Sequence, residues 1–224
     1  MGGCCGGGIP ACEHVFDDKT ARDDLRALRR DGPPWATRTL VDALADGLSL
    51  DGLTVVDIGA GVGAVHLALL ERGAQCAVDL DGSSASVAAA REEADRRGVA
   101  DRVSYLVGDA TALAATLEPA DLVALDRVVC CYADAPALMA TAAGLARRRI
   151  GFVFPRDTWW ARAAVTLANP VMFRGSAGYR MRIHPAAAVT APLAAAGFVP
   201  RARVDGRLWR VETWERSMPG DAPA

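Results

Sequence analysis

From residue 54 onward the chain alternates short apolar runs with amphipathic stretches. That rhythm belongs to parallel strands joined by helices packed on their faces. Strands are expected at 54–58, 75–79, 103–107, 121–126 and 150–154, with helices near 62–72, 83–98, 110–117 and 134–148. After residue 155 the alternation stops, and a Trp-, Arg- and Pro-bearing segment runs to about 183. A helix then starts near Pro185, a good first-turn residue, and closes at Gly197. Two last strands, 199–204 and 207–214, flank Asp205-Gly206, a strong hairpin signal. Upstream, one helix is expected over 18–31, stopped by Asp31-Gly32-Pro33-Pro34, and another from Thr37 as N-cap. Residues 1–16 are rich in Gly and Cys and show no apolar periodicity, so they are expected to lack a packing face.

A length of 224 residues suits one domain with a modest extension. The expected division is a Cys-rich head and helical cap over 1–50, an α/β domain over 51–216, and a flexible tail over 217–224. With 51% hydrophobic and 23% charged residues the composition is that of a globular protein. A net charge of −2 supplies no global field for nucleic acid or a membrane. Lys19 is the only lysine, so the Arg excess reads as genome composition. The cysteines at 4, 5, 12, 76, 130 and 131 include two adjacent pairs, a poor disulfide framework, which implies a reducing compartment. No apolar run approaches the ~20 residues of a membrane helix, and the first residues lack a signal-peptide layout. A cytoplasmic protein without membrane insertion is expected.

The strongest motif is Val55-Val56-Asp57-Ile58-Gly59-Ala60-Gly61-Val62-Gly63-Ala64, a strand entering a glycine loop and then a helix. Glycines allow a sharp turn and a close backbone approach to a ligand. The loop alone also satisfies the dinucleotide pattern, with Ala as its last small residue. The neighbouring carboxylates separate the two. Asp57 precedes the loop, where a pyrophosphate would meet negative charge. Asp79 ends the second expected strand, Asp109 follows the third, and Asp126 ends the fourth. Four consecutive strands thus deliver a carboxylate to the rim where open α/β sheets bind ligands. Such a rim suits a cofactor with cationic groups, a ribose diol and an adenine amine but no phosphate, which describes S-adenosylmethionine. Each Asp can also be a helix cap; four in register after the loop favour the cofactor.

On these residues the sequence resembles the class I S-adenosylmethionine-dependent methyltransferases over roughly residues 35–216. The resemblance implies a doubly wound seven-stranded sheet of order 3-2-1-4-5-7-6, with the seventh strand antiparallel. It further implies that Gly59, Ala60, Gly61 and Gly63, with Asp57, serve the methionine moiety. By the same resemblance Asp79 and Leu80 hold the ribose, Asp109 and Ala110 read the adenine, and Asp126 and Arg127 lie near the methionine end. A narrower similarity, to magnesium-protoporphyrin O-methyltransferases and their bacterial relatives, rests on Asp126-Arg127-Val128-Val129-Cys130-Cys131-Tyr132-Ala133-Asp134, on Cys4-Cys5 with Cys12, and on Phe154-Pro155-Arg156.

Methyl transfer from a sulfonium is an in-line displacement in which alignment and desolvation carry most of the catalysis. A carboxylate or thiolate acceptor needs no base, whereas a phenol or alcohol does. Tyr132 and His184 are candidates to touch the acceptor, although each can equally be a packing or helix-entrance residue. Arg156, with Arg174, Arg180, Arg182, Trp159, Trp160 and Tyr179, could form an aromatic-walled pocket clamping an acidic group. His66 reads as structural, and Cys130 and Cys131 as inert small hydrophobes. Cys4, Cys5, Cys12 and His14 match no standard zinc spacing, so no metal is assigned; a tail, a lid or a soft-ligand site all remain open for the head.

The expected function is therefore methylation of a small-molecule acceptor, at a carboxylate oxygen or a thiol. A dinucleotide-dependent oxidoreductase is disfavoured by the rim carboxylates. A nucleic-acid methyltransferase is disfavoured because Asp126-Arg127-Val128-Val129 stands where an Asn/Asp-Pro-Pro-aromatic loop would be.

Overall fold

The computed structural model describes residues 9–172 and 179–217. Three helices lead: α1 (Ile9–Val15), α2 (Asp18–Asp31) and α3 (Trp35–Ala45). Then follow β1 (Thr54–Ile58), α4 (Ala64–Glu71), β2 (Cys76–Asp81), α5 (Ser84–Arg97), β3 (Val103–Val107), α6 (Ala110–Leu113) and β4 (Ala120–Asp126). The chain continues through α7 (Ala135–Leu145), β5 (Ala146–Pro155), α8 (Trp159–Met172), α9 (Ala186–Ala195), β6 (Phe198–Asp205) and β7 (Trp209–Arg216). The seven strands lie in the order β3-β2-β1-β4-β5-β7-β6, with β7 antiparallel to both neighbours. This is the expected doubly wound sheet. Strand alternation feeds both faces: Leu122 and Ala124 of β4 pack with α3 and α4, Val123 and Leu125 with α7 and α9.

Four local expectations are corrected. β2 runs to Asp81 rather than residue 79, because Asp79 and Asp81 still pair with Tyr105 and Val107 of β3. β5 begins at Ala146, beneath an arginine run that reads as polar. Arg149 is 1% exposed there; its guanidinium donates to the Leu44 and Asp46 carbonyls at the end of α3 and pairs with Glu215. α3 starts two residues before Thr37, with Pro34 at the cap, so Thr37 is a buried first-turn residue. The segment after residue 155 contains a regular helix, α8, which leaves Trp159 82% exposed.

The described part of the head is also more ordered than its lack of periodicity implies. Ser83 Oγ donates to the Phe16 carbonyl at 2.5 Å, Ser84 N and Oγ donate to Glu13, and the Phe16 ring packs edge-on against Tyr179. Cys12 joins the hydrophobic core and Val15 and Phe16 pack against it, a short apolar contact that the sequence pattern did not reveal, and the polar contacts add to it. Cys12 is buried and disulfide-bonded, which corrects the expectation of a chain without disulfides. Cys4 and Cys5 lie outside the described residues. No helix among the described residues is long and apolar enough to cross a membrane.

Candidate functional site

At the carboxyl ends of β1, β2 and β4 the sheet and the cap enclose a cavity of about 770 Å³, well inside the roughly 300–1,000 Å³ range of small-molecule sites. Its floor is the glycine loop. Gly59, Gly61 and Gly63 all adopt positive φ, at 66°, 57° and 83°, the region only glycine enters without strain. A Cβ on Gly59 would lie 2.5 Å from Val128 Cγ2, so the bare backbone of the loop packs directly against the Val128 side chain of the turn after β4. A Cβ on Gly61 would meet no atom within 4 Å, because that glycine faces the open cavity. Gly61 N donates to Asp81 Oδ2 and Ser83 N to Asp81 Oδ1, both at 2.8 Å. Asp81 thereby fixes the loop to the entrance of α5, and it lines the cavity with Gly59, Ala60, Gly61 and Leu80. Burial raises the Asp81 pKa, against the two N–H donors that favour its charge.

Asp57 and Asp79 lie elsewhere. Both are 0% exposed, neither lines the cavity, and they are register partners across β1 and β2. His66 of α4 lies against both, with Nδ1 3.0 Å from Asp57 Oδ2 and Nε2 3.9 Å from Asp79 Oδ2. Burial pushes the Asp79 carboxyl well above its usual range, helped by the negative charges of Asp57 and Asp81. The three side chains form a buried cluster under the loop. Gly63 abuts His66 from above and does not line the cavity. Asp109 caps α6, accepting from Thr111 N at 2.8 Å; the cavity wall at that turn is Gly108, with Asp109 and Ala110 behind it.

The roof comes from side chains distant in sequence. Asp126 and Arg127 both line the cavity. Asp126 accepts from Thr37 Oγ1 at 2.6 Å, and the Arg127 guanidinium reaches its two oxygens at 3.2 Å. Arg127 is the one non-glycine residue at positive φ (59°) among the described residues, a conformation that stores about 1–3 kcal/mol and clusters at functional sites. Tyr132 lines the cavity and accepts from Ala110 N through its hydroxyl at 3.2 Å. Cys131, Tyr179, Met181 and Trp209 complete the wall with Cys12 and Phe16.

Among the described residues the expected arginine clamp is not assembled. Arg156 Nη1 donates to the Gly206 carbonyl at 3.0 Å and steadies the terminal hairpin. His184 Nε2 donates to the Tyr132 carbonyl at 3.0 Å, and burial lowers its pKa. Neither Arg156 nor His184 lines the cavity, and neither do Trp159, Trp160, Arg180 and Arg182; Arg174 lies outside the described residues. The cavity arginines are Arg38 and Arg127. Sequence reasoning missed Asp81, Phe16, Arg38 and Trp209. A signal existed for Asp81 alone: Ser83 is the N-cap of α5, which moves the strand end two residues past Asp79. Among the described residues no three His, Cys, Asp or Glu side chains are grouped to hold a metal.

Residues 55–148 match the family described as a methyltransferase domain. This chain has the class I methyltransferase fold. A crystal structure of magnesium protoporphyrin IX methyltransferase from Synechocystis PCC 6803 with bound S-adenosylmethionine superposes with a TM-score of 0.68 at 21% identity, covering 93% of this chain and 97% of that one. An O-methyltransferase family protein from Burkholderia thailandensis gives 0.69 at 19% identity, covering 92% and 62%. In sequence, the ribosomal protein L11 methyltransferase of Enterobacter sp. (strain 638) is 43% identical over 65 residues, 29% of this chain and 22% of that protein. The match thus spans about a fifth of the length of those curated relatives.

Proposed function

We propose that this chain transfers a methyl group from S-adenosylmethionine to a small-molecule acceptor. The observation that carries the proposal is the pairing of an open Gly61 with the cavity-facing carboxylate of Asp81 on one strand-end rim. Gly59, Ala60 and Gly61 let the methionine portion approach backbone. Asp81, in place of Asp79, accepts from the ribose hydroxyls beside Leu80. Gly108, at the turn that Asp109 caps, borders the adenine, and Asp126 with Arg127 sits toward the methionine end. When bound, the cofactor supplies an electrophilic methyl group on a sulfonium. The chain's own part is to align and dehydrate the acceptor, which the roof of Phe16, Met181, Tyr179 and Trp209 does by closing an apolar wall over the loop.

The O-methyltransferase neighbours support a small acceptor methylated at oxygen, a carboxylate among the options; a thiol is the second option. The net charge of −2 favours neither nucleic acid nor an anionic membrane. The purified chain, incubated with methyl-labelled S-adenosylmethionine and separate carboxylate, phenol and thiol acceptors, should label one class. Binding of the cofactor without labelling of any class, alongside labelling of a protein or nucleic acid, would refute the small-molecule assignment.

A further inference from the structure

The roof contains one side-chain cluster that cofactor binding leaves unused. The turn Val129–Cys131 follows the strained Arg127 and places both of its thiols on the cavity wall. Cys130 Sγ donates to the Arg127 carbonyl at 3.2 Å and lies 4.0 Å from Cys131 Sγ. Cys131 Sγ is 2.9 Å from the Tyr179 hydroxyl, and both residues face the cavity that holds Gly59, Gly61 and Asp81. Other cavity groups are committed or are weak bases. Asp126 is held by Thr37 and Arg127, and Asp24 and Asp31 are carboxylates, ordinarily about six pKa units below a phenol. His184, a sequence candidate to touch the acceptor, is outside the cavity.

We propose that Cys131 is a catalytic residue whose sulfur takes the proton of a methyl acceptor bearing a dissociable O–H or S–H, with Tyr179 as the positioning residue that holds that sulfur. The proposal rests on the methyl-transfer reading and narrows its acceptor to a phenol, enol or thiol, since a carboxylate is already ionised at neutral pH. As the acceptor oxygen or sulfur bonds to the methyl carbon, the methyl–sulfonium bond breaks and its electron pair stays on the cofactor sulfur. The acceptor proton passes to the Cys131 thiolate and later to solvent, so one cation and one thiolate are consumed and two neutral products and a thiol remain.

The surroundings act in both directions: the Arg127 carbonyl, 3.7 Å from Cys131 Sγ, accepts from the thiol form, whereas the charged and hydroxyl neighbours favour the thiolate. The Cys130 thiol beside it, then the Tyr179 hydroxyl and Arg182, hold the Cys131 pKa below that of an ordinary thiol, against burial and the charge of Asp81. Arg182 comes within reach through Nη1, 3.4 Å from the Cys131 carbonyl. Burial and the neighbouring Cys131 push Cys130 the other way, the hydrogen bond between the two sulfurs being the largest cause. Cys12, on the cap side, is disulfide-bonded and does not titrate.

The test is alkylation by iodoacetamide across pH in the S-adenosylhomocysteine complex, read per cysteine by peptide mass spectrometry. Cys131 should react at least tenfold faster than Cys130 near neutral pH, with a midpoint below about 8.5, the value of a free thiol. Tyr179→Phe should raise that midpoint without lowering the melting temperature of the complex appreciably. Cys131→Ser should cut the rate with phenol and thiol acceptors at least tenfold near neutral pH while S-adenosylhomocysteine affinity stays unchanged. If that variant fails to fold, the wild-type alkylation profile decides. A Cys131 no more reactive than Cys130, or a methyl-sized mass gain on Cys131 after incubation with S-adenosylmethionine, would overturn the proposal; the latter makes the sulfur an acceptor. Failure of the wild type to bind S-adenosylhomocysteine would instead bring down the methyl-transfer reading and this inference together.

Discussion

The floor and the roof of the cavity are made of different kinds of chain. The floor is backbone from one stretch of sequence, residues 59–61, tied to Asp81 by a single short hydrogen bond. The roof is side chains from five separate places, Phe16, Arg38, Arg127, Tyr179 and Trp209 among them. A floor of that kind is set by local conformation and is least tolerant of substitution where it is packed most tightly, at Gly59. A roof of that kind is set by tertiary packing, and each member can change while the rest remain. The same scaffold can therefore keep one cofactor and accept many substrates, as sites grafted on common folds do.

The sharpest way to break this contrast is at Gly59. An alanine there combines the strain of φ 66° with a Cβ 2.5 Å from Val128, and we expect a loss of about 2–4 kcal/mol in urea unfolding. Gly61→Ala, at left-handed φ but with open space around it, should cost about 1–2 kcal/mol. Equal losses would show that the tight approach to Val128 does not matter.

On the roof, Phe16→Ala should cost about 1–2 kcal/mol, less than a fully buried Phe because the ring is only partly covered. Cofactor affinity should stay within a factor of two or three. This replaces the expectation that residues 1–16 lack a packing face, since Phe16 and Glu13 dock the chain to Tyr179 and α5. A variant as stable as the wild type would return that segment to the status of a passive tail.

The cap has an acid-sensitive anchor. Glu93 of α5 is held at a pKa of about 2, below the ordinary 4.5, by hydrogen bonds from Arg96 first and then from Arg29 of α2 and Arg97. A lowered carboxylate pKa means stability that is complete above the unfolded value and lost as pH falls from about 4.5 toward 2. Because Arg96 is half exposed, the effect should be on the order of 1 kcal/mol after solvent screening. Melting curves of wild type and Glu93→Gln through that range should converge at low pH; parallel curves would show that the cluster contributes nothing.

Much of the floor was legible in the sequence because its cause is local. Val55 through Ala64 announces a strand, a turn only glycine can make, and a helix, and each of these forms. The order of the strands was implied by the family resemblance that this motif carries, and the hairpin signal at Asp205-Gly206 agrees with its last two strands. What failed were features whose cause lies across the fold. Asp79 and Asp81 share one face of β2, and only their depth, set by His66 beneath the loop, separates a buried carboxyl from a cavity-facing one. Arg147, Arg148 and Arg149 hide the start of β5, because Arg149 is buried by the carbonyls at the end of α3, which no local pattern records. Arg156 was assigned to an acceptor clamp from its neighbours in sequence, yet the hairpin 50 residues onward claims it.

The account turns on which carboxylate of β2 meets the cofactor, and calorimetric titration with S-adenosylhomocysteine decides it. Asp81→Asn removes the charge that a ribose diol would share, and a charge-assisted hydrogen bond is worth about 1.5–3 kcal/mol. Affinity should therefore fall at least tenfold. Asp79→Asn, which imitates a buried carboxyl already favouring its neutral form, should bind within about twofold of the wild type. A folded Asp81→Asn variant of unchanged affinity, with the loss falling on Asp79→Asn instead, would contradict the account.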